Sequence, residues 1–179
     1  VFSDISKAKQ AEEKLFHLAD HDTLTGLPNR LNFTEHLTNM LERCKRGDSG
    51  AAVVFIDLDR FKIINDTLGH AVGDKYLKTI AERLLSATRK QDLLGRWGGD
   101  EFVLALPGGG ADEARGVAHK LVEHNTRSFT VGGHDMGVTL SVGIALFPTD
   151  GADFEALSKS ADVAMYRAKE EGRNTSRFF

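Results

Sequence analysis

The sequence predicts an α/β (α+β) domain with a mixed central β-sheet flanked by helices, and three observations carry that prediction. Ala51–Ile56 is a short apolar, β-favouring run, the pattern of a strand buried on both faces. Leu93–Trp97 and Phe102–Leu106 are two more such runs, and the Gly98-Gly99 pair between them reads as the turn of a β-hairpin. Between and after these runs, apolar residues return at helical spacing. The resulting order is strand, helix, hairpin, helix, strand, helix. It requires parallel and antiparallel strand relationships in one sheet, in the split βαβ manner.

In chain order, Ser6 to about Ala19 is charged and helix-favouring, with Ala8, Ala11, Leu15 and Leu18 at three-four spacing. That seam is narrow; it suits a coiled-coil stalk pairing two copies, and a solvated surface helix would read much the same. Asp22–Arg30 reads as a turn punctuated by Gly26 and Pro28. A helix follows over about Asn32–Lys45, with Phe33, Leu37, Met40 and Leu41 on one face, and Gly47–Gly50 closes it. After the first strand and a polar turn, Val72, Tyr76, Ile80 and Leu84 mark a helix reaching about Arg89. The hairpin leads through Pro107 to a helix carrying Ala114, Val117, Ala118, Leu121 and Val122. Val138–Phe147 reads as a strand. Phe154, Leu157, Ala161, Met165 and Ala168 mark the last helix, and Arg177-Phe178-Phe179 a short final strand.

At 179 residues, 41% hydrophobic and 27% charged, the chain has the balance of a globular domain that buries its own core. The single cysteine, Cys44, excludes an internal disulfide framework and fits a reducing compartment. A net charge of -3 supplies no basic field for nucleic acid or anionic lipid. No apolar run approaches the roughly 20 residues of a membrane helix, and the N-terminus has neither the basic start nor the apolar stretch of a signal peptide. A chain beginning without methionine is expected to be a piece of a longer, cytoplasmic protein, whose parent could be membrane-anchored.

The chemistry gathers at two places. The first strand runs into Asp57-Leu58-Asp59-Arg60-Phe61-Lys62, and a carboxylate ending a buried strand is costly unless solvated, paired or bound to a cation. The hairpin turn supplies Asp100 and Glu101 behind Gly98 and Gly99, where bare backbone lets a bulky anion approach. If the hairpin lies beside the first strand, Asp57, Asp100 and Glu101 converge. Hard oxygen ligands with room for water and phosphate are what magnesium takes in phosphoryl transfer, and Lys62 would hold phosphate. Taken singly, Asp-Leu-Asp is also a helix cap and Gly-Gly-Asp an ordinary turn. Together they read as a magnesium-nucleotide site.

Gly98-Gly99-Asp100-Glu101-Phe102 resembles the signature of the GGDEF family of diguanylate cyclases. The resemblance extends through Asp22–Arg30, Phe55–Asp66, Gly69–Asp74, Ser141–Ala145, Ala161–Lys169 and Gly172–Asn174, covering roughly Leu18 to the C-terminus. It implies the palm-like, ferredoxin-like core of nucleotidyl cyclases over residues 21–179, after a signalling helix and the end of a sensor domain over residues 1–20. Val1–Ser6 followed by the Lys- and Glu-rich helix is itself similar to the exit from a PAS sensor domain.

The resemblance also implies roles. Two GTP molecules would be condensed to cyclic di-GMP by a homodimer, each domain holding one GTP. Asp57, the carbonyl of Leu58, Asp100 and Glu101 would hold two magnesium ions, with manganese a possible substitute. Asn65 and Asp74 would read guanine. Lys62, Lys169, Arg173 and backbone amides near Arg60 and Phe61 would grip the triphosphate. The sequence does not separate a base from a metal ligand at Glu101. Arg89 and Asp92 resemble the family's RxxD inhibitory site for product, with Lys120 or Arg115 as a second contact.

Overall fold

The computed structural model describes residues 2–179, so Val1 of the PAS-like segment lies outside the described residues. Strands β1 (Ala51–Leu58), β2 (Leu93–Gly98), β3 (Glu101–Pro107), β6 (Leu140–Phe147) and β7 (Thr175–Phe178) form one sheet in the order β2-β3-β1-β6-β7. β1 pairs antiparallel with β3 and with β6, and β7 runs parallel to β6. β1 and β2 therefore point the same way with β3 between them, which is the split βαβ arrangement anticipated above.

Helices cover both faces because β1, buried at every position, has two apolar faces to hide. Ala52, Val54, Ile56 and Leu58 face one core, which also takes Tyr76, Leu77, Ile80 and Leu84 of α4 (His70–Ser86) and Ala114, Ala118 and Leu121 of α5 (Ala111–Asn125). Ala51, Val53 and Phe55 face the other, with Phe33, Leu37 and Leu41 of α2 (Arg30–Arg46) and Leu157, Ala161 and Met165 of α6 (Phe154–Glu170). By strand alternation Asp57 continues the second row, toward α6. Gly143 of β6 lies under α6 so closely that a Cβ there would stand 2.0 Å from the Ala161 carbonyl oxygen.

Several boundaries differ from the sequence reading. Helix α1 spans Phe2–Asp20 rather than starting at Ser6, and Ala8, Ala11, Leu15 and Leu18 are all exposed along it. The segment after β1 is not a polar turn but a helix, α3 (Phe61–Leu68), whose one buried side chain, Phe61, is too little for an apolar stripe. α4 stops at Ser86, ahead of a turn in which Asp92 accepts from the Arg89 backbone. β6 begins at Leu140 rather than Val138. A small second hairpin, β4 (Phe129–Val131) with β5 (His134–Met136), turns at Gly132-Gly133.

Candidate active site

Register brings the acidic residues together. Asp57 is paired with Glu101 across β1 and β3, and the Leu58 amide donates to the Asp100 carbonyl at 3.1 Å. Glu101 shares the face of Asp57, since Phe102, Leu104 and Leu106 take the opposite core. A bulge between Arg96 and Gly98 shifts the β2–β3 register before its last pair, Gly98 with Glu101, and Gly98 (φ 151°) and Gly99 (φ 51°) turn the chain where a side chain would be strained. No heavy atom stands within 4 Å of where a Cβ would be at either glycine. The turn is open to a ligand.

Asp57 is only 6% exposed, and its Oδ1 has no hydrogen-bond partner among the described residues. Its Oδ2 is held by Lys169 Nζ from the last turn of α6. Burial pushes the Asp57 carboxyl up to about 6, against the Lys169 hydrogen bond and with help from the charges of Asp100 and Glu101. Burial also raises Glu101, and Asp100 and Asp162 add to it. Burial disfavours the charged form of Lys169, yet the Asp57 contact holds its pKa above the ordinary lysine value. A buried carboxylate with an orphan oxygen, beside two more carboxylates, is a set short of positive charge. The donors suit a hard divalent cation, and Lys169 supplies one cationic partner in its place. Among the described residues, however, no group of three acidic, His or Cys side chains is already closed into a metal cage.

The residues expected to contact phosphate and base lie on α3, on α4 and at or after the end of α6. Arg60 stands at the N-terminus of α3 in a left-handed conformation, and no side chain caps that helix end, which leaves its first amides for another acceptor. Lys62, two residues on, is exposed. Asn65, in the same helix, lies against Gly73 of α4, where a Cβ would fall 1.8 Å from its Oδ1; the neighbouring Asp74 is exposed. Arg173 is exposed in the loop after α6. Arg60, Arg173, Asp59 and Thr139 help line an open groove of about 510 Å³.

The Arg89–Asp92 turn is remote in sequence from the β1 end. Arg89 grips Asp92 through Nε at 3.4 Å and Nη2 at 3.1 Å, and its Nη1 meets Glu113 of α5. Of the two candidate second contacts, Arg115 is engaged by Asp112 at 2.7 Å and lies over Phe178, whereas Lys120 lines a separate groove with His124 and Arg127.

Two participants went unremarked in the sequence. Arg96 bonds both Asp22 oxygens, at 3.0 and 3.1 Å, and the Gly99 carbonyl at 2.8 Å. Asp59 accepts from Thr139 and Ser141 of distant segments. Thr139 and Ser141, two residues apart in the run read as a strand, were the available signal.

Fold and site together define a palm-like nucleotide-cyclase domain. The family model "Diguanylate cyclase, GGDEF domain" matches residues 19–175, and the chain belongs to this family of diguanylate cyclases. It is 42% identical over 170 residues to the bifunctional diguanylate cyclase/cyclic di-GMP phosphodiesterase MucR of Pseudomonas aeruginosa, covering 95% of this chain and 25% of that protein. The chain thus spans about a quarter of the length of that curated relative. Among solved structures, the GGDEF domain of TpbB from Pseudomonas aeruginosa superposes with a TM-score of 0.86 at 40% identity, covering 88% of this chain and 93% of that one. The GGDEF domain of DgcB from Caulobacter crescentus, in complex with c-di-GMP, gives 0.82 at 28% identity over 89% and 95%.

Proposed function

We propose that this domain condenses two GTP molecules into cyclic di-GMP with release of two pyrophosphates, working as half of a homodimer. The observation that carries the reading is the pairing of Asp57 with Glu101 next to the open Gly98-Gly99-Asp100 turn. Asp57, the Leu58 carbonyl, Asp100 and Glu101 would hold two magnesium ions, which when bound offset phosphate charge and acidify the attacking hydroxyl; manganese is the natural substitute.

The protein's own groups do the positioning. Asn65 and Asp74 read the guanine edge, the Asp74 carboxylate accepting from its N–H groups. The amides of Arg60 and Phe61, with Lys62, Lys169 and Arg173, grip the triphosphate, and Lys169 exchanges Asp57 for phosphate. Gly98 and Gly99 let the nucleotide lie on bare backbone. The 3'-oxygen of each GTP then forms a bond to the α-phosphorus of the other, the α–β phosphoanhydride bond breaks, and the 3'-proton leaves to a base, a role we assign to Glu101. Two half-sites are needed, so a monomer binds GTP without turnover. Helix α1, with Ile5, Leu15, Phe16 and Leu18 exposed at its surface, is the element that would pair two copies. Arg89 and Asp92 form the product-inhibition site, and the domain works in the cytoplasm.

The test is incubation with GTP and magnesium at several protein concentrations, with products separated by chromatography. Cyclic di-GMP formed at a rate rising faster than linearly with protein supports the chemistry and the dimer together. GTP binding without product, even after forced dimerisation, would replace the enzyme with a nucleotide receptor.

A further inference from the structure

Three non-glycine residues around the proposed triphosphate site have left-handed backbones: Arg60 (φ 60°), Arg173 (φ 65°) and Asn174 (φ 48°). Asparagine tolerates that region, but arginine gains nothing from it. Strained backbone of this kind persists only where the surroundings over-determine it. Here the common tie is one carboxylate. Asp59 Oδ2 accepts from Thr139 Oγ1 at 2.6 Å and from the Asn174 amide at 3.1 Å, while Oδ1 accepts from Ser141 Oγ at 2.6 Å. The Asp59 amide adds a bond to the Thr139 carbonyl at 2.9 Å. Asp59 immediately precedes Arg60, and Asn174 immediately follows Arg173. The two loops proposed to hold the triphosphate, one through the Arg60 and Phe61 amides and the other through Arg173, are far apart in sequence and are therefore fastened to each other and to β6 through a single side chain.

We infer that Asp59 is a positioning residue for the triphosphate: it touches no nucleotide, but it sets the spacing between the β1–α3 loop and the α6–β7 loop. The inference rests on the reading of this site as a GTP site. The carboxylate is needed for its acceptor geometry rather than its charge. An asparagine can keep every bond: its oxygen takes the place of Oδ2, and its NH2 donates to the Ser141 hydroxyl, which accepts as readily as it donates. Alanine loses all three bonds, and Thr139→Val loses one while leaving the carboxylate in place.

The experiment measures the affinity of the full chain for GTP and for GMP in magnesium, with a thermal melt of each variant. Asp59→Ala should weaken GTP by about tenfold or more and GMP by less than about twofold, because misplaced loops cost the distal phosphates most. Asp59→Asn should stay within about threefold of wild type for GTP, and Thr139→Val should fall between the two. If Asp59→Ala does not fold, the comparison of Thr139→Val and Asp59→Asn with wild type decides the matter alone. Equal loss of GTP and GMP, or equal loss in Asp59→Asn and Asp59→Ala, overturns the assignment: the first points to general destabilisation, the second to a role for the charge. Wild-type protein that binds neither nucleotide removes the GTP reading, and this inference with it.

Discussion

Arg96 holds the carboxylate of Asp22 and the carbonyl oxygen of Gly99 at the same time. One guanidinium thereby joins the segment that leaves α1 to the turn that presents Asp100 and Glu101. Asp22 is itself fixed by the Thr25 amide and hydroxyl at 2.8 and 2.7 Å, and Asn29 ties the same segment to the Ala19 carbonyl at 2.5 Å. A rotation of α1 relative to the sheet would therefore reach the hairpin through Arg96. The forked guanidinium is needed, since a lysine offers one point charge to two acceptors lying in different directions.

Arg96→Ala should lower the melting temperature by roughly 2–8 °C, from about 1–3 kcal/mol for acceptors left without their charged donor. It should also reduce cyclic di-GMP synthesis by about tenfold or more, since the acidic turn loses its anchor. Arg96→Lys should recover little of either. A melt together with initial rates at saturating GTP checks both; unchanged activity would mean the turn is held by the β-ladder alone.

The same pair has a pH signature. Burial works against the charged form of Asp22, but bonds from Thr25 and Arg96 prevail and hold its pKa below the ordinary aspartate value. A depressed folded-state pKa contributes stability that is present above the unfolded pKa and is lost as pH falls through the folded one. Wild type should thus melt above Asp22→Asn by a constant margin above about pH 5, and the margin should shrink below about pH 4. Parallel melting curves down to pH 3 would deny the ion pair its role.

Strand alternation and turn chemistry made much of this architecture readable in advance. Ala51–Ile56 and the Gly98-Gly99 turn marked the two strand ends that carry Asp57, Asp100 and Glu101, but their convergence was conditional on the hairpin lying beside the first strand, which the β1–β3 register supplies. What escaped was short or long-range. α3 and the β4–β5 hairpin have too few residues to show a period, although Gly132-Gly133 was a turn signal. The partners of Asp59 and Arg96 lie 80 and 74 residues away, at Thr139 and Asp22, and no local pattern announces such bonds. Lys169 was read as a phosphate ligand; its contact with Asp57 follows only once α6 is docked on the β1 face.

Asp57 predicts the opposite pH trend from Asp22. Its pKa of about 6 lies above the usual 3.8, so the metal-free native state binds more protons than the unfolded chain between those values, and stability falls as pH rises through that window. The raised pKa of Lys169 acts only in the alkaline range and leaves this window untouched. Asp57→Asn should abolish synthesis, yet without metal it should melt a few degrees above wild type at pH 7 and alike at pH 4. Magnesium should raise the wild-type melting temperature and leave the variant unmoved. Identical metal responses would remove Asp57 from the ligand set.

Gly143 sets how closely α6 approaches the sheet, and hence where Lys169 stands. A Cβ there would meet the Ala161 carbonyl oxygen at 2.0 Å and the Met165 amide at 2.3 Å, both backbone atoms that cannot swing aside. Gly143→Ala should cost at least about 1–3 kcal/mol, the range for overpacking a filled interior. By contrast, Gly116→Ala, where a Cβ meets nothing, should be neutral or slightly stabilising in α5. Chemical denaturation of the two variants gives the comparison directly.

At the Arg89 turn, the guanidinium that would receive cyclic di-GMP is already shared between Asp92 and Glu113. Product bound there would therefore have to displace or accommodate the Glu113 carboxylate, whose negative charge would oppose an incoming phosphate. Gly109 leaves the space this carboxylate occupies, since a Cβ there would fall 2.0 Å from Glu113 Oε2. Glu113→Gln should keep the packing, remove the repulsion and lower the product concentration for half-inhibition by about three- to tenfold. Arg89→Ala should abolish inhibition with the initial rate preserved. Progress curves with added cyclic di-GMP measure both. Weaker inhibition in Glu113→Gln would mean that the carboxylate orients Arg89 for product instead of competing with it, and undiminished inhibition in Arg89→Ala would move the inhibitory site elsewhere.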